Sequence, residues 1–234
     1  MFEIVQTTSS FFLYQRAEYP RDCHEVLSQC PSSRNDGVYV IKPDGYPEPF
    51  EVSCNNSLGD GGWTVIQRRK DSSINFNRTW DEYENGFGFL SHEFWLGNEK
   101  ISYITNQRKY QLRMDITTES GCSFFVTYET FRISDSFSHY KLVSTGEYTG
   151  ATGYDAMRYH NGEEFSTRDE DNDDYSYGSI DNLAEYYSSA WWYSYYYYCD
   201  LNRPYTGSYT IYWYNFPGGY YNIRSTEMKI RPRT

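Results

Sequence analysis

At 234 residues and a formal net charge of −11, the chain fits one large domain and lacks the clustered Lys and Arg that phosphate backbones demand, which excludes a nucleic-acid binder. Aromatic residues make up 20% of it and 27 residues are tyrosine, so the core must be built from rings whose OH and NH groups need partners. No stretch approaches the roughly 20 apolar residues that cross a bilayer, so no membrane insertion is expected.

Residues 1–20 carry no periodicity and run up to Pro20, so they read as a linker or stalk remnant. Met1–Arg16 contains Glu3 and no sustained apolar run, unlike an intact signal peptide. The domain proper is expected over 21–234. Gly37–Ile41 and Phe50–Cys54 are short β-rich runs joined by the turn chemistry of Pro43–Pro47, which predicts a hairpin. Gly61–Arg69 adds a strand after a glycine-rich turn. Trp80–Phe87 sets aromatic residues at helical spacing with acids between them, and Ser91–Lys100 is expected to open a second short helix. Lys109–Ile116, Ser123–Arg132 and Tyr140–Tyr148 alternate as strands of an antiparallel sheet. From Asp155 the pattern dissolves into loops rich in Gly, Asp, Ser and Tyr, until Ser225–Arg231 closes the chain as a last strand. These shifts divide the domain into an N-terminal lobe (21–62), a central sheet (63–154) and a loop-built lobe (155–234), and loops on a rigid scaffold are where binding resides.

Five cysteines, Cys23, Cys30, Cys54, Cys122 and Cys199, show no C-x-x-C pair, so disulfides are the better reading than zinc, and the odd number leaves one thiol free or shared between chains. Asn55 and Asn77 each head a glycosylation sequon. Asp169, Glu170, Asp171, Asp173 and Asp174 crowd into one short segment, which is either a solvated, self-repelling loop or a loop neutralised by a cation. The histidines, His24, His92, His139 and His160, are scattered, and no nucleophile elbow, zinc-protease or phosphate-loop string occurs, so no catalytic centre is expected. Tyr186–Tyr187, Tyr195–Tyr198, Tyr212, Tyr214 and Tyr220–Tyr221 crowd the last lobe, either as a recognition face or as core.

Five strings in order, Gly61–Arg69 (GGWTVIQRR), Glu93–Gly97 (EFWLG), Phe165–Asp169 leading into Asp171–Asp173, Ala190–Tyr193 (AWWY) and Ser225–Ile230 (STEMKI), resemble the fibrinogen-related domain of ficolins, tachylectins, angiopoietins, tenascins and the fibrinogen chains. The resemblance covers Cys23 to about Pro232. It implies an α+β fold: a small disulfide-bearing N-terminal lobe, a central antiparallel sheet with short helices, and a loop-rich lobe holding calcium and ligand. It also implies a Cys23–Cys54 bridge and a structural Ca²⁺ held by Asp171 and Asp173 with carbonyls near Tyr175 and Tyr177. The family's second bridge falls on Leu183 and Tyr196, and its acetyl-binding Cys-His pair, joined by a cis peptide, falls on Tyr196–Tyr197. The implied ligand set is Tyr187, Tyr196, Tyr197, Trp213 and Gly219. The family further implies a secreted, extracellular, non-enzymatic module. Its partner would be a glycan met in the manner of a lectin or innate-recognition protein, or a receptor met as angiopoietins do; a tyrosine-rich structural or adhesive role is the third possibility. Oligomers would form through a segment outside this sequence or through an unpaired Cys.

Overall fold

A computed structural model describes residues 19–29, 34–178, 180–195, 197–207, 210–217, 219 and 223–233. The linker expected over 1–20 thus falls almost wholly outside the described residues, as do Cys30 and Tyr196. In chain order the strands are β1 (Gly37–Ile41), β2 (Phe50–Asn55), β3 (Trp63–Arg69), β4 (Phe87–Gly88), β5 (Phe94–Trp95), β6 (Tyr110–Thr118), β7 (Ser123–Tyr128), β8 (Arg132–Ile133), β9 (Leu142–Ser144), β10 (Tyr148–Gly150), β11 (Cys199–Asp200), β12 (Tyr212–Trp213) and β13 (Ile223–Pro232). The α-helices are α1 (Cys23–Gln29), α2 (Trp80–Asn85), α3 (Asn98–Gln107) and α4 (Leu183–Tyr187). Short helices and antiparallel strands give the expected α+β fold, with no helix among the described residues long and apolar enough to cross a membrane.

The main sheet runs β1-β2-β3-β13-β6-β7-β10, with β5 pairing both β3 and β4. Strand β6 shows why: Tyr110, Leu112, Met114, Ile116 and Thr118 are buried in strict alternation with half-buried neighbours, the period of a pleated strand with one core face. The C-terminal strand β13 threads the middle of this sheet, between β3 and β6. A register shift at Met228/Lys229 lets three consecutive residues, Met228, Lys229 and Ile230, be buried together. Lys229 pairs there with Asp115 at 2.8 Å and Glu227 at 2.5 Å. The sheet therefore crosses the boundaries drawn from composition, taking β1 and β2 from the N-terminal segment and β13 from the C-terminal one.

Two expected elements form differently. Ser91–Lys100 does not open a helix at its start: the six residues from Glu93 to Asn98 are all buried, a pattern with no solvent face, and the chain pairs as β5 before α3 starts at Asn98. The turn needs glycine, because Gly97 has φ 112° and a Cβ there would stand 2.8 Å from the Asn85 backbone. Tyr140–Tyr148 is likewise not one strand. Its first part pairs with β8 in a separate two-stranded ribbon, and its end starts β10 against β7. Helix α2 begins where expected, fixed by a capping box between Thr79 and Glu82.

The core between sheet and loops is aromatic, with Trp95, Phe165 and Trp192 in mutual contact at ring separations of 5.2 to 6.2 Å. Their polar edges are satisfied: the Trp95 indole NH donates to Asn98, that of Trp192 to the Tyr140 carbonyl, and the Tyr83 hydroxyl to the Phe76 carbonyl. The Cys23–Cys54 disulfide ties α1 to β2, closing a separation of 31 residues, while Cys122 is free and exposed and Cys199 free and buried. Of these two thiols, only Cys122 is placed to reach another chain.

Candidate functional site

The acidic loop sits directly before α4, and one side chain couples the two. Asp173 accepts from the backbone NH of Tyr175 at 2.9 Å through Oδ1 and from that of Leu183, the first residue of α4, at 3.0 Å through Oδ2. Asn182 caps the same helix by accepting from the Glu185 NH, and its amide donates back to the Thr167 carbonyl. Asp171 in turn accepts from the Asp173 NH at 3.3 Å. Burial, then repulsion from Asp171 and Asp174, pushes the Asp173 carboxyl up to about 6, and burial raises Asp171 as well. Neither carboxylate has a cationic side chain in ion-pair range among the described residues.

A half-buried carboxylate held against its neighbours without a counter-charge is what a cation would correct, and the donor atoms are all oxygen, which suits calcium. The residues present fit the expected ion. Among the described residues no group of three or more His, Cys, Asp or Glu converges, so the ion would rely on Asp171 and Asp173 with backbone carbonyls and water. The Tyr177 carbonyl also accepts from the Ile180 NH at 3.2 Å, which leaves one lone pair for a metal. The Tyr175 ring meets Tyr195 at 5.6 Å, so the loop also touches the tyrosine run.

Helix α4 ends on Tyr187, and here the structure departs from the expected ligand pocket. Tyr187 and Trp213 are buried, 4% and 0% exposed, and the Trp213 indole donates to the Tyr154 carbonyl. The face of Tyr187 is covered by the guanidinium of Arg203, 3.6 Å from the ring centre, with Tyr197 and Tyr212 at 4.8 and 5.2 Å. Such desolvated cation–π contacts are worth about 2 kcal/mol each. Arg203 is fully buried; its Nε donates to Asp200 at 3.1 Å while both terminal amino groups lack a hydrogen-bond partner. Asp200 is itself buried and held by Ser189, Tyr193 and the Asn202 NH. Burial disfavours the guanidinium charge, but Asp200 outweighs it and holds the arginine pKa raised. The tyrosine cage thus contains an internal cation where an acetyl group was expected. Gly219, at φ 113°, has nothing within 4 Å of a would-be Cβ, and Tyr196 lies outside the described residues, so the expected cis bond at Tyr196–Tyr197 does too.

Outside the cage stands a second group, in which Tyr198 and Tyr214 from the tyrosine-rich stretch are joined by Tyr154 and Tyr159, which residue patterns did not single out. Tyr159 stacks on Tyr198 at 3.9 Å, Tyr154 lies parallel to Tyr159 with their hydroxyls 3.0 Å apart, and Tyr214 packs edge-on against Tyr154 at 4.8 Å and Tyr198 at 5.3 Å. Tyr159 and Tyr214 remain 39% and 37% exposed. Arg203 was equally missed, although it is the sole Lys or Arg between Arg168 and Arg224 and so stands out in a tyrosine-rich stretch. The sequon residues Asn55 and Asn77 are both partly exposed, Asn55 at the end of β2 and Asn77 just before the α2 cap.

His160 is a structural histidine. Its Nδ1–H donates to the Trp192 carbonyl at 2.6 Å and its Nε2 accepts from the Cys199 NH at 3.1 Å, which fixes the neutral tautomer. Burial depresses its pKa to about 4 from 6.5. The unfolded chain therefore takes the proton first: stability is full above about pH 6.5 and falls by roughly 3 kcal/mol as pH drops toward 4. The difference in urea-unfolding stability between the wild type and His160→Gln is expected to change by that amount across this range; a difference that does not vary with pH contradicts the assignment.

The comparisons agree with this architecture. A family model described as the C-terminal globular domain of fibrinogen beta and gamma chains matches residues 19–233. Fibrinogen-like protein A of Apostichopus parvimensis is 44% identical over 93% of this chain and 77% of its own length. Fibrinogen C domain-containing protein 1-A of Xenopus laevis is 38% identical over 92% of this chain, which spans 48% of that protein. Angiopoietin-related protein 1 of Bos taurus is 38% identical over 94% of this chain and 43% of its own. The chain thus spans about half or less of these last two relatives. Among solved structures, the fibrinogen-like globe domain of human ANGPTL2 superposes with a TM-score of 0.84 at 37% identity, over 92% of this chain and all of that one. Lamprey fibrin D-dimer, in complex with the peptide Gly-His-Arg-Pro-amide, gives 0.79 at 32% identity, over 91% of this chain and 73% of that one. The chain belongs to the family of fibrinogen C-terminal globular domains.

Proposed function

We propose that this domain is a secreted, extracellular recognition module, not an enzyme, that is ordered by calcium and takes a glycan on the outer tyrosine face formed by Tyr154, Tyr159, Tyr198 and Tyr214. The observation that carries the reading is the pairing of a cage already filled by Arg203 with half-exposed rings beside it. The inner site is closed to an acetyl group, whereas rigid rings with polar tips give contact area at little entropic cost. Calcium would act at a distance from the ligand. By holding Asp171 and Asp173 it would keep the loop in register with α4 and, through Tyr175 and Tyr195, with the tyrosine run.

A protein receptor is the second reading, favoured by the angiopoietin-related relatives and by a structural neighbour that holds a peptide. A glycan array read with and without a chelator, on the wild type and on Tyr159→Ser, separates the two. The glycan reading expects signal that falls with chelator and with the substitution. An array blank in both conditions rejects it in favour of the receptor.

A further inference from the structure

A groove of about 410 Å³ opens where the end of α3 and the start of β6 meet β8 and β9. Phe131 and Thr130 form its base, Val143 is an exposed apolar wall, and Arg108, Lys109 and Arg132 stand around it. No Asp or Glu lines it, although acids outnumber Lys and Arg by 32 to 21 in the chain. The lining shares no residue with the acidic loop, the cage or the tyrosine face.

The cations differ in how far they are already used. Arg108 is bound to Asp22 and lies 3.5 Å from Glu25. Lys109 makes no ion pair among the described residues, and the Arg132 guanidinium donates to the Asn106 side-chain oxygen at 3.2 Å and to no carboxylate. The neighbouring acids do not pair with them: Glu129 is taken by Arg233 at 3.0 Å, and none of Asp44, Glu99 and Asp135, which line the next groove together with Arg132, forms an ion pair with Arg132 or Lys109 among the described residues. Two exposed, uncommitted positive charges thus flank an apolar wall on an otherwise acidic protein.

We infer that this groove docks an acidic peptide segment of a partner protein, with one apolar side chain against Val143 and Phe131 and carboxylates reaching Lys109 and Arg132. Charge complementarity selects an anionic partner, since like charge elsewhere on this surface repels it from other faces. The apolar wall favours a peptide over a sulfated sugar, which would cover Val143 with polar groups and leave the hydrophobic contact unmade.

The probe is a blocked, fluorescein-labelled Glu-Glu-Leu-Glu-Glu peptide followed by anisotropy, with Gln-Gln-Leu-Gln-Gln as control and a heparin-derived hexasaccharide as competitor. The acidic peptide is expected to bind, to weaken about tenfold or more in Lys109→Ala/Arg132→Ala, to weaken in Val143→Asp, and to weaken with rising salt. All three positions are exposed, and an unchanged unfolding midpoint confirms that the variants are folded. The inference is overturned by no binding to the wild type, by equal binding of the Gln peptide, by binding that ignores the double variant, or by tighter binding of the hexasaccharide at the same residues. A concentration-dependent dimer in sedimentation velocity that the double variant abolishes would overturn it too, because the occupant would then be a second copy of this chain.

Discussion

Replacing Arg203 by alanine lowers the stability of the domain by about 3–5 kcal/mol in urea unfolding at neutral pH, more than any surface change should. The substitution strips from buried Asp200 the one cation in ion-pair contact with it among the described residues and empties a cage of three rings, so a poorly compensated charge and a cavity appear together. Arg203→Lys recovers part of the loss at most, because an ammonium group can neither lie flat on Tyr187 nor keep the same Nε geometry to Asp200. Asp200→Asn combined with Arg203→Met should be milder than Arg203→Ala alone, since removing both charges leaves neither one orphaned. Added guanidinium ion should restore stability to Arg203→Ala and leave the wild type unaided. A loss under about 1 kcal/mol for Arg203→Ala would mean that the cage is wet and that its central residue is dispensable.

What could be read from the residues follows from which signals are local. The alternation in Lys109–Ile116 gives β6 and its core face, because pleat and burial are both written at period two. The Cys23–Cys54 bridge, inferred from family resemblance, is present. Ser225–Arg231 reads as a strand equally well, but nothing in it says that it lies between β3 and β6, since partner choice is made by residues far away in sequence. The same limit governs the site. Asp171 and Asp173 are visible as a cluster, whereas the hydrogen bond from Leu183 that turns Asp173 into a brace for α4 is not. Arg203 is the sharpest case. It lies 16 residues from Tyr187, and only the packed lobe shows that its side chain fills the space expected for ligand.

The acidic loop carries the other large effect. Without calcium, Asp173 titrates near 6 in the folded chain against about 3.9 unfolded, so the folded state binds the proton more tightly. Stability of the calcium-free protein should therefore fall as pH rises from about 4 to about 6, by about 1–2 kcal/mol once partial exposure of the group is allowed for. This opposes the His160 contribution over the same range and masks part of it. Calcium bound as proposed would remove the opposition by stabilising the ionised pair, so the acid side of the stability profile should become steeper when calcium is present. At a free concentration a thousandfold above its dissociation constant the ion should add about 4 kcal/mol. The direct measurement is thermal unfolding at neutral pH with calcium and with chelator, on the wild type and on Asp171→Asn/Asp173→Asn: a calcium-dependent rise in Tm that the double variant loses is the predicted result, and a Tm indifferent to calcium in the wild type, or an equal rise in the variant, would contradict it.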